Sequence, residues 1–152
     1  MKLIKVLAEK SNHETVYTIE ENATLREAAK KMTEKNVGAL IVIEENKNPE
    51  SYTGIITEKM FIKNCWKFNT FLDKKVKDIM FSKLLCTNAN DDVNDVMNIL
   101  TQERVRYAPV WDNGKLIGIV SIGDIIKTMH EEKKIKITYL SKMCGTYGNN
   151  VY

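Results

Sequence analysis

Residues 107–124 read YAPVWDNGKLIGIVSIGD. Two apolar runs, YAPVWD and KLIGIV, meet at Asp112-Asn113-Gly114, residue types that accept the positive φ angles of a tight hairpin. The second run stops at Ser121, and apolar positions at helical spacing begin immediately after it. The stretch predicts a β-hairpin running straight into a helix. It also poses a question, because a carboxylate, Asp124, sits three residues beyond the hydroxyl at the strand-to-helix junction.

The same order occurs earlier in the chain. MTEKNVGALIV (32–42) lies over LTQERVRYAPV (100–110) at a separation of 68, with Thr33 over Thr101, Val37 over Val105 and Val42 over Val110. The register carries back to Leu25 over Val93 and Ala28 over Val96. GIIT (54–57) lies over GIVS (118–121) at a separation of 64, and the difference falls in the polar turn EENKNPESY of the first copy, where insertions are best tolerated. The chain is two copies of one unit.

Each copy begins with a short extended segment, 15–19 or 84–87. A helix follows, on Leu25, Ala28, Ala29 and Met32 in the first copy and on Val93, Val96, Met97 and Leu100 in the second. Two strands around a turn come next, then a closing helix, 58–68 or 121 to about 133. The unit is β-α-β-β-α. Neither copy has enough residues for a comfortable core, so the halves are expected to pack as a pseudo-symmetric α/β pair. The expected organisation is an N-terminal helix plus first repeat (1–68), a linker (69–83) whose Val76, Ile79 and Met80 fold back into the groove, a second repeat with a C-terminal helix (84–145), and a flexible tail (146–152).

The 152 residues are 43% hydrophobic and 28% charged, the balance of a soluble globular protein. The net charge of +3 is spread among interspersed Lys and Glu, so no basic stripe points to nucleic acid. No apolar run approaches the roughly 18 residues of a membrane span. MKLIKVLAEKS is too short and charged for a secretory signal and reads as an amphipathic helix with Leu3, Ile4 and Leu7 on one side. Cys65, Cys86 and Cys144 are odd in number, far apart and without a Cys-x-x-Cys pair, which points to a reducing compartment. Each reads as a small buried hydrophobe, with Cys144 the one expected to meet thiol reagents. His13 and His130 are the only further soft ligands, so no metal site is expected. No Ser-His-Asp set or framed carboxylate pair appears, and the chain reads as no enzyme. The expected location is cytoplasmic, or an organellar matrix if an upstream targeting peptide has been removed.

Ser121-x-x-Asp124 has two readings. In one it is a capping box, with Ser121 accepting from the first helical turn and Asp124 returning a bond to the cap's own N–H. In the other, the unpaired N–H groups at a helix start and the Ser121 hydroxyl suit a phosphate, while Asp124 suits a sugar diol. Arg104 and Arg106 in RVRYAPV add a fork of donors for a phosphate.

The duplicated unit, closed by Gly-apolar-apolar-Thr/Ser-x-x-Asp, resembles the cystathionine-beta-synthase (CBS) domain pair, or Bateman module. RVRYAPVWDNGKLIGIVSIGDIIK is similar to the second half of small stand-alone CBS-pair proteins of bacteria and plant organelles, and GIITEKMFIKN to their first-half closing segment. The likeness extends to a final helix around IKITYLSKMCGTY. It implies a regulatory sensor that binds an adenosine ligand (AMP, ADP, ATP, NAD(H) or S-adenosylmethionine) between the halves and signals to a partner protein. It also implies a flat homodimer. By this likeness Asp124 would hold the ribose, Ser121 and Arg106 the phosphate, and Thr87, Tyr107, Pro109 and Ile119 the base.

The first copy departs from the pattern. Relatives carry Thr-Glu-Arg-Asp-Tyr where this chain has Thr57-Glu58-Lys59-Met60-Phe61, and Gly38 stands where the second copy has Arg106. One competent site is therefore expected, around Asp124. A degenerate second site is expected around Thr18, Ala39, Thr57 and Lys59, with Thr57 still capping its helix. The alternative function is a ligand-silent structural or dimerisation module.

Overall fold

Each repeat condenses into a three-stranded sheet with its own helices on one face, in a computed structural model that describes residues 1–10, 16–45, 51–83, 85 and 87–143. The order is α1 (Leu3–Glu9), β1 (Thr18–Glu20), α2 (Leu25–Lys35), β2 (Ala39–Ile43), β3 (Tyr52–Thr57) and α3 (Glu58–Asn64). Three short 3-10 turns follow (Cys65–Lys67, Phe71–Asp73, Val76–Asp78), then β4 (Thr87–Asn88), α4 (Val93–Gln102), β5 (Tyr107–Asp112), β6 (Lys115–Ser121) and α5 (Ile122–Met143). In both sheets the first strand runs parallel to the second and the second antiparallel to the third. A register shift falls at Val42/Ile43 and again at Val110/Trp111, the same place in each repeat.

Local chemistry sets the element ends. Thr24 accepts from the Glu27 N–H at 3.2 Å while the Glu27 carboxylate accepts from the Thr24 N–H at 2.7 Å, a reciprocal cap on α2. Asp92 caps α4 through the Asn94 N–H at 2.9 Å. Asn113 and Gly114 have φ of 47° and 77°, the pair of positive angles that a two-residue hairpin turn requires. The corresponding first-repeat turn includes residues 46–50, which lie outside the described residues.

Strand alternation divides the apolar residues between two jobs. Leu40, Val42 and Ile56 pack with Leu25, Ala28 and Met32 of α2 into a first core, and Ala108, Val110 and Val120 pack with Val93, Val96 and Leu100 of α4 into a second. The opposite sheet faces meet each other. Ala39, Ile41 and Ile55 lie against Tyr107, Leu116 and Ile119 in a third core between the repeats.

The segments that precede each repeat dock on the other one. Leu3, Val6 and Leu7 of α1 are buried in the second repeat's core. Val76 is buried in the first repeat's core, with Ile79 and Met80 packed against it, so residues 69–83 do fold back as their apolar pattern predicts. The hydrogen bonds repeat as well. Leu25 N–H donates to the Lys74 carbonyl at 2.8 Å as Val93 N–H does to that of Met1 at 2.9 Å, and Val76 N–H reaches Ala23 at 2.9 Å as Leu3 N–H reaches Asp91 at 3.1 Å.

Three expectations are corrected. Val6, not Ile4, joins Leu3 and Leu7 on the buried face of α1, and Ile4 is 45% exposed, because the helix meets its neighbours one turn position away from the predicted stripe. The closing and final helices are one continuous α5, since no Gly or Pro interrupts residues 124–143. Cys65 is exposed on a 3-10 turn. Cys86, Cys144 and His13 lie outside the described residues, and His130 is on the surface. Among the described residues no helix is long and apolar enough to cross a membrane.

Leu3→Ala is expected to lower unfolding stability by about 2–5 kcal/mol, the cost of a leucine-sized cavity in a closed core. Urea unfolding checks it, and a loss below about 0.5 kcal/mol would mark α1 as a surface attachment.

Candidate functional site

Stacking the two sheets face to face opens two clefts, related to one another by exchange of the repeats. Each takes its strand-to-helix junction from one repeat and its hairpin entry from the other. The carboxylate cleft combines Gly118, Ile119, Ser121 and Asp124 of the second repeat with Val16, Tyr17 and residues 36–39 of the first, and Leu7 and Lys10 close it. Its cavity is about 270 Å³. The arginine cleft combines Ile55 and residues 57–60 of the first repeat with residues 103–107 and Pro109 of the second, around a cavity of about 900 Å³.

In the carboxylate cleft, Asp124 caps α5 and forms an ion pair at once. Its Oδ2 accepts from the Ser121 N–H at 2.8 Å, the Ser121 hydroxyl at 2.8 Å and the Lys10 ammonium at 3.0 Å. The Ser121 hydroxyl accepts from the Asp124 N–H at 3.1 Å, so the capping box is complete with Asp in the place of Glu. Lys10 also donates to the Ile119 carbonyl at 2.9 Å, tying the end of α1 to the cleft mouth. Partial burial by itself would raise the Asp124 pKa. The Ser121 N–H, Lys10 and the Ser121 hydroxyl outweigh it and hold the carboxyl below the usual range. Oδ1 receives no hydrogen bond from a described residue. One oxygen is structural, and the other is open to a donor from a ligand.

The junction in the arginine cleft differs. Thr57 precedes α3 but makes no side-chain cap, which corrects the expectation that it would. Met60 stands where Asp124 stands in the other repeat, so no carboxylate returns a bond and the reciprocal box cannot form. Lys59 instead donates across the cleft to the Arg104 carbonyl at 2.9 Å. Tyr107 lines both clefts. Its hydroxyl lies 2.1 Å from where a Cβ on Gly38 would sit, so glycine there is the clearance that lets the ring cross between the repeats. Burial, then the charge of the hydrogen-bonded Glu58, push the Tyr107 pKa up.

The expected site residues are thus sorted differently. Ile119, Ser121, Asp124 and Tyr107 share the carboxylate cleft, joined by Ala39, which the sequence assigned to the degenerate site. Arg106 and Pro109 line the opposite cleft with Thr57 and Lys59. The grouping of Arg106 with Asp124 is corrected, because stacking brings each hairpin entry to the other repeat's junction. Thr87 lines neither cavity, and its buried hydroxyl donates to the Pro109 carbonyl at 2.6 Å. Thr18 also lines neither, since Val16 and Tyr17 before it make that wall. The sequence reading missed Lys10, Tyr17 and Asn36. Asn36 was reachable through the repeat register, which sets it over Arg104, but Lys10 carried no local signal.

Asp124 generates a pH prediction. A carboxyl with a depressed folded pKa contributes stability above its unfolded value of about 3.9, and that contribution is lost as pH falls through the lower folded value. Urea midpoints of the wild type and Asp124→Asn are expected to differ by a constant amount above about pH 5 and to converge below about pH 4.

A protein-family model, the CBS domain, matches residues 12–67 and again residues 76–131. A solved CBS-domain protein from Burkholderia ambifaria is 30% identical, superposes with a TM-score of 0.78, and aligns over 85% of this chain and 93% of its own. The mitochondrial CBS domain-containing protein of Arabidopsis thaliana is 32% identical over 121 residues, which are 78% of this chain and 58% of that protein. A CBS-domain pair solved in complex with 5′-methylthioadenosine and S-adenosyl-L-methionine superposes with a TM-score of 0.71 over 87% of this chain and 98% of its own, and at 21% identity it shares the fold. The two matched repeats and their shared sheet order make this chain a member of the CBS-domain family, with the paired repeats of a regulatory module.

Proposed function

We propose that the chain is a regulatory module that binds an adenosine ligand in the carboxylate cleft, with Asp124 accepting from the ribose hydroxyls. The observation that carries this reading is the divided duty of that carboxylate. Oδ2 is consumed by the helix cap and Lys10, while Oδ1 takes no donor from any described residue, and Asp124 lines the cavity. A partly buried acceptor in a cleft walled by Val16, Ala39 and Ile119 suits a hydroxylated, flat, largely apolar ligand.

Charge and volume narrow the choice among adenosine ligands. Lys10 is the one cation among the described lining residues, and Asp124 already balances it. The cavity of about 270 Å³ is small for a ligand pocket. Adenosine or its monophosphate fits these limits better than ADP, ATP or NAD. The regulatory step follows from Lys10. A ribose that donates to Oδ1 shares one carboxylate with the ammonium on Oδ2, so occupancy and the position of the α1 end become coupled, and a partner protein that binds the two arrangements unequally reads the ligand.

A second reading, dimerisation through the outer faces of α3, the 3-10 turn that follows it and α5, is supported by Ile62, Trp66 and Ile126, which are 74%, 78% and 55% exposed. It is compatible with ligand binding, and by itself it is the ligand-silent alternative.

Isothermal titration of AMP and adenosine tests the first reading. Asp124→Ala is expected to weaken both at least about tenfold while losing only about 1 kcal/mol of stability as a cap. Unchanged affinity removes Asp124 from the site. No binding or thermal shift with any adenosine compound leaves the ligand-silent reading.

A further inference from the structure

We infer that the arginine cleft is a polyphosphate site that holds its ligand by charge and makes no demand on a ribose. This goes beyond the reading of the carboxylate cleft and does not depend on it. Five cationic side chains, Lys59, Lys63, Lys83, Arg104 and Arg106, line one cavity of about 900 Å³, against two carboxylates, Glu58 and Glu103. No ion pair among the described residues involves any of the five. Glu58 is turned to the Tyr107 hydroxyl. A concave surface with three surplus positive charges repels itself and is relieved by a multiply charged anion. Two guanidinium groups lining one cavity each offer phosphate oxygens paired donors.

The rest of the lining limits the ligand further. Met60 replaces the acidic residue that would accept from a sugar diol, so the cleft has nothing to reward ribose hydroxyls. Thr57, freed from capping, adds a hydroxyl donor at the wall. Ile55, Leu85, Val105 and Pro109 give a floor on which a flat apolar group can lie. The class is therefore a polyphosphate, inorganic or carried on an organic group. The cavity is large enough for either.

Arg104 also makes the test clean. Its φ is 54°, in the left-handed region, where Asn36 with φ 52° occupies the equivalent position of the first repeat. Arg104→Asn places a residue better suited to that backbone while removing the charge. Isothermal titration calorimetry on the full chain uses inorganic tripolyphosphate, ATP and 2′,3′-dideoxy-ATP as probes. In the Asp124→Ala protein all three are expected to bind, the dideoxy nucleotide within about twofold of ATP. Arg104→Asn combined with Arg106→Gln lowers each affinity at least about tenfold, and added salt weakens binding further. Lys63→Gln, on the exposed side of α3, gives a smaller loss in the same direction and covers failure of the double variant to fold. Equal affinity for tripolyphosphate and ATP assigns recognition to phosphate alone, and tighter ATP binding adds the apolar floor; either upholds the site. The inference is overturned if none of the three probes binds, or if ATP binding survives loss of both arginines but requires Asp124 and the ribose hydroxyls. The second result leaves the carboxylate-cleft reading standing, and AMP binding that ignores Asp124 leaves this one untouched.

Discussion

The outer face of each sheet is apolar and has no helix to cover it. Ala39, Ile41 and Ile55 in the first repeat need Tyr107, Leu116 and Ile119 in the second, because a three-stranded sheet that left such a face in water would forfeit its burial. Everything functional follows from that contact. Packing two like sheets face to face imposes a pseudo-two-fold axis. The axis brings the strand-to-helix junction of one repeat to the hairpin entry of the other, twice. The docking of residues 1–10 on the second repeat and of 74–81 on the first extends the same exchange to the chain's connections.

Divergence between the copies then acts across the axis. The second repeat keeps both an acidic junction, at Asp124, and an arginine entry, at Arg104 and Arg106. In a single folded repeat these would look like parts of one nucleotide site. The stacking sends them to opposite clefts, so one cleft has a carboxylate balanced by Lys10 and the other a surplus of cations over an apolar floor. Two clefts of different charge come from one pair of repeats. Tyr107 lies between them, fitted into the space that Gly38 leaves and bonded to Glu58. Tyr107 is thereby a wall that the two clefts share.

Capping and ligand binding are not rivals at Ser121 and Asp124. The box is complete, yet it uses a single carboxylate oxygen. Thr57 sits at an equivalent helix start and caps nothing, and Met60 three residues on has no carboxylate to return a bond.

Much of the fold was legible in the linear order of residues. Apolar spacing, the Asn113-Gly114 turn and the offset of 68 between copies are local or periodic properties, and local backbone chemistry enforces them wherever the segment lies. The junction residues Ser121 and Asp124 were legible for the same reason. Which residues share a cleft was not. Arg106 parted from Asp124, Ala39 joined it, and Lys10 reached it from a helix more than 100 residues away in sequence. Those placements depend on the burial of two sheet faces against each other, a contact between distant segments for which no neighbouring residue carries a signal. Sequence determined the units and their junctions, and only the stacking of the units decided which charges share a cleft.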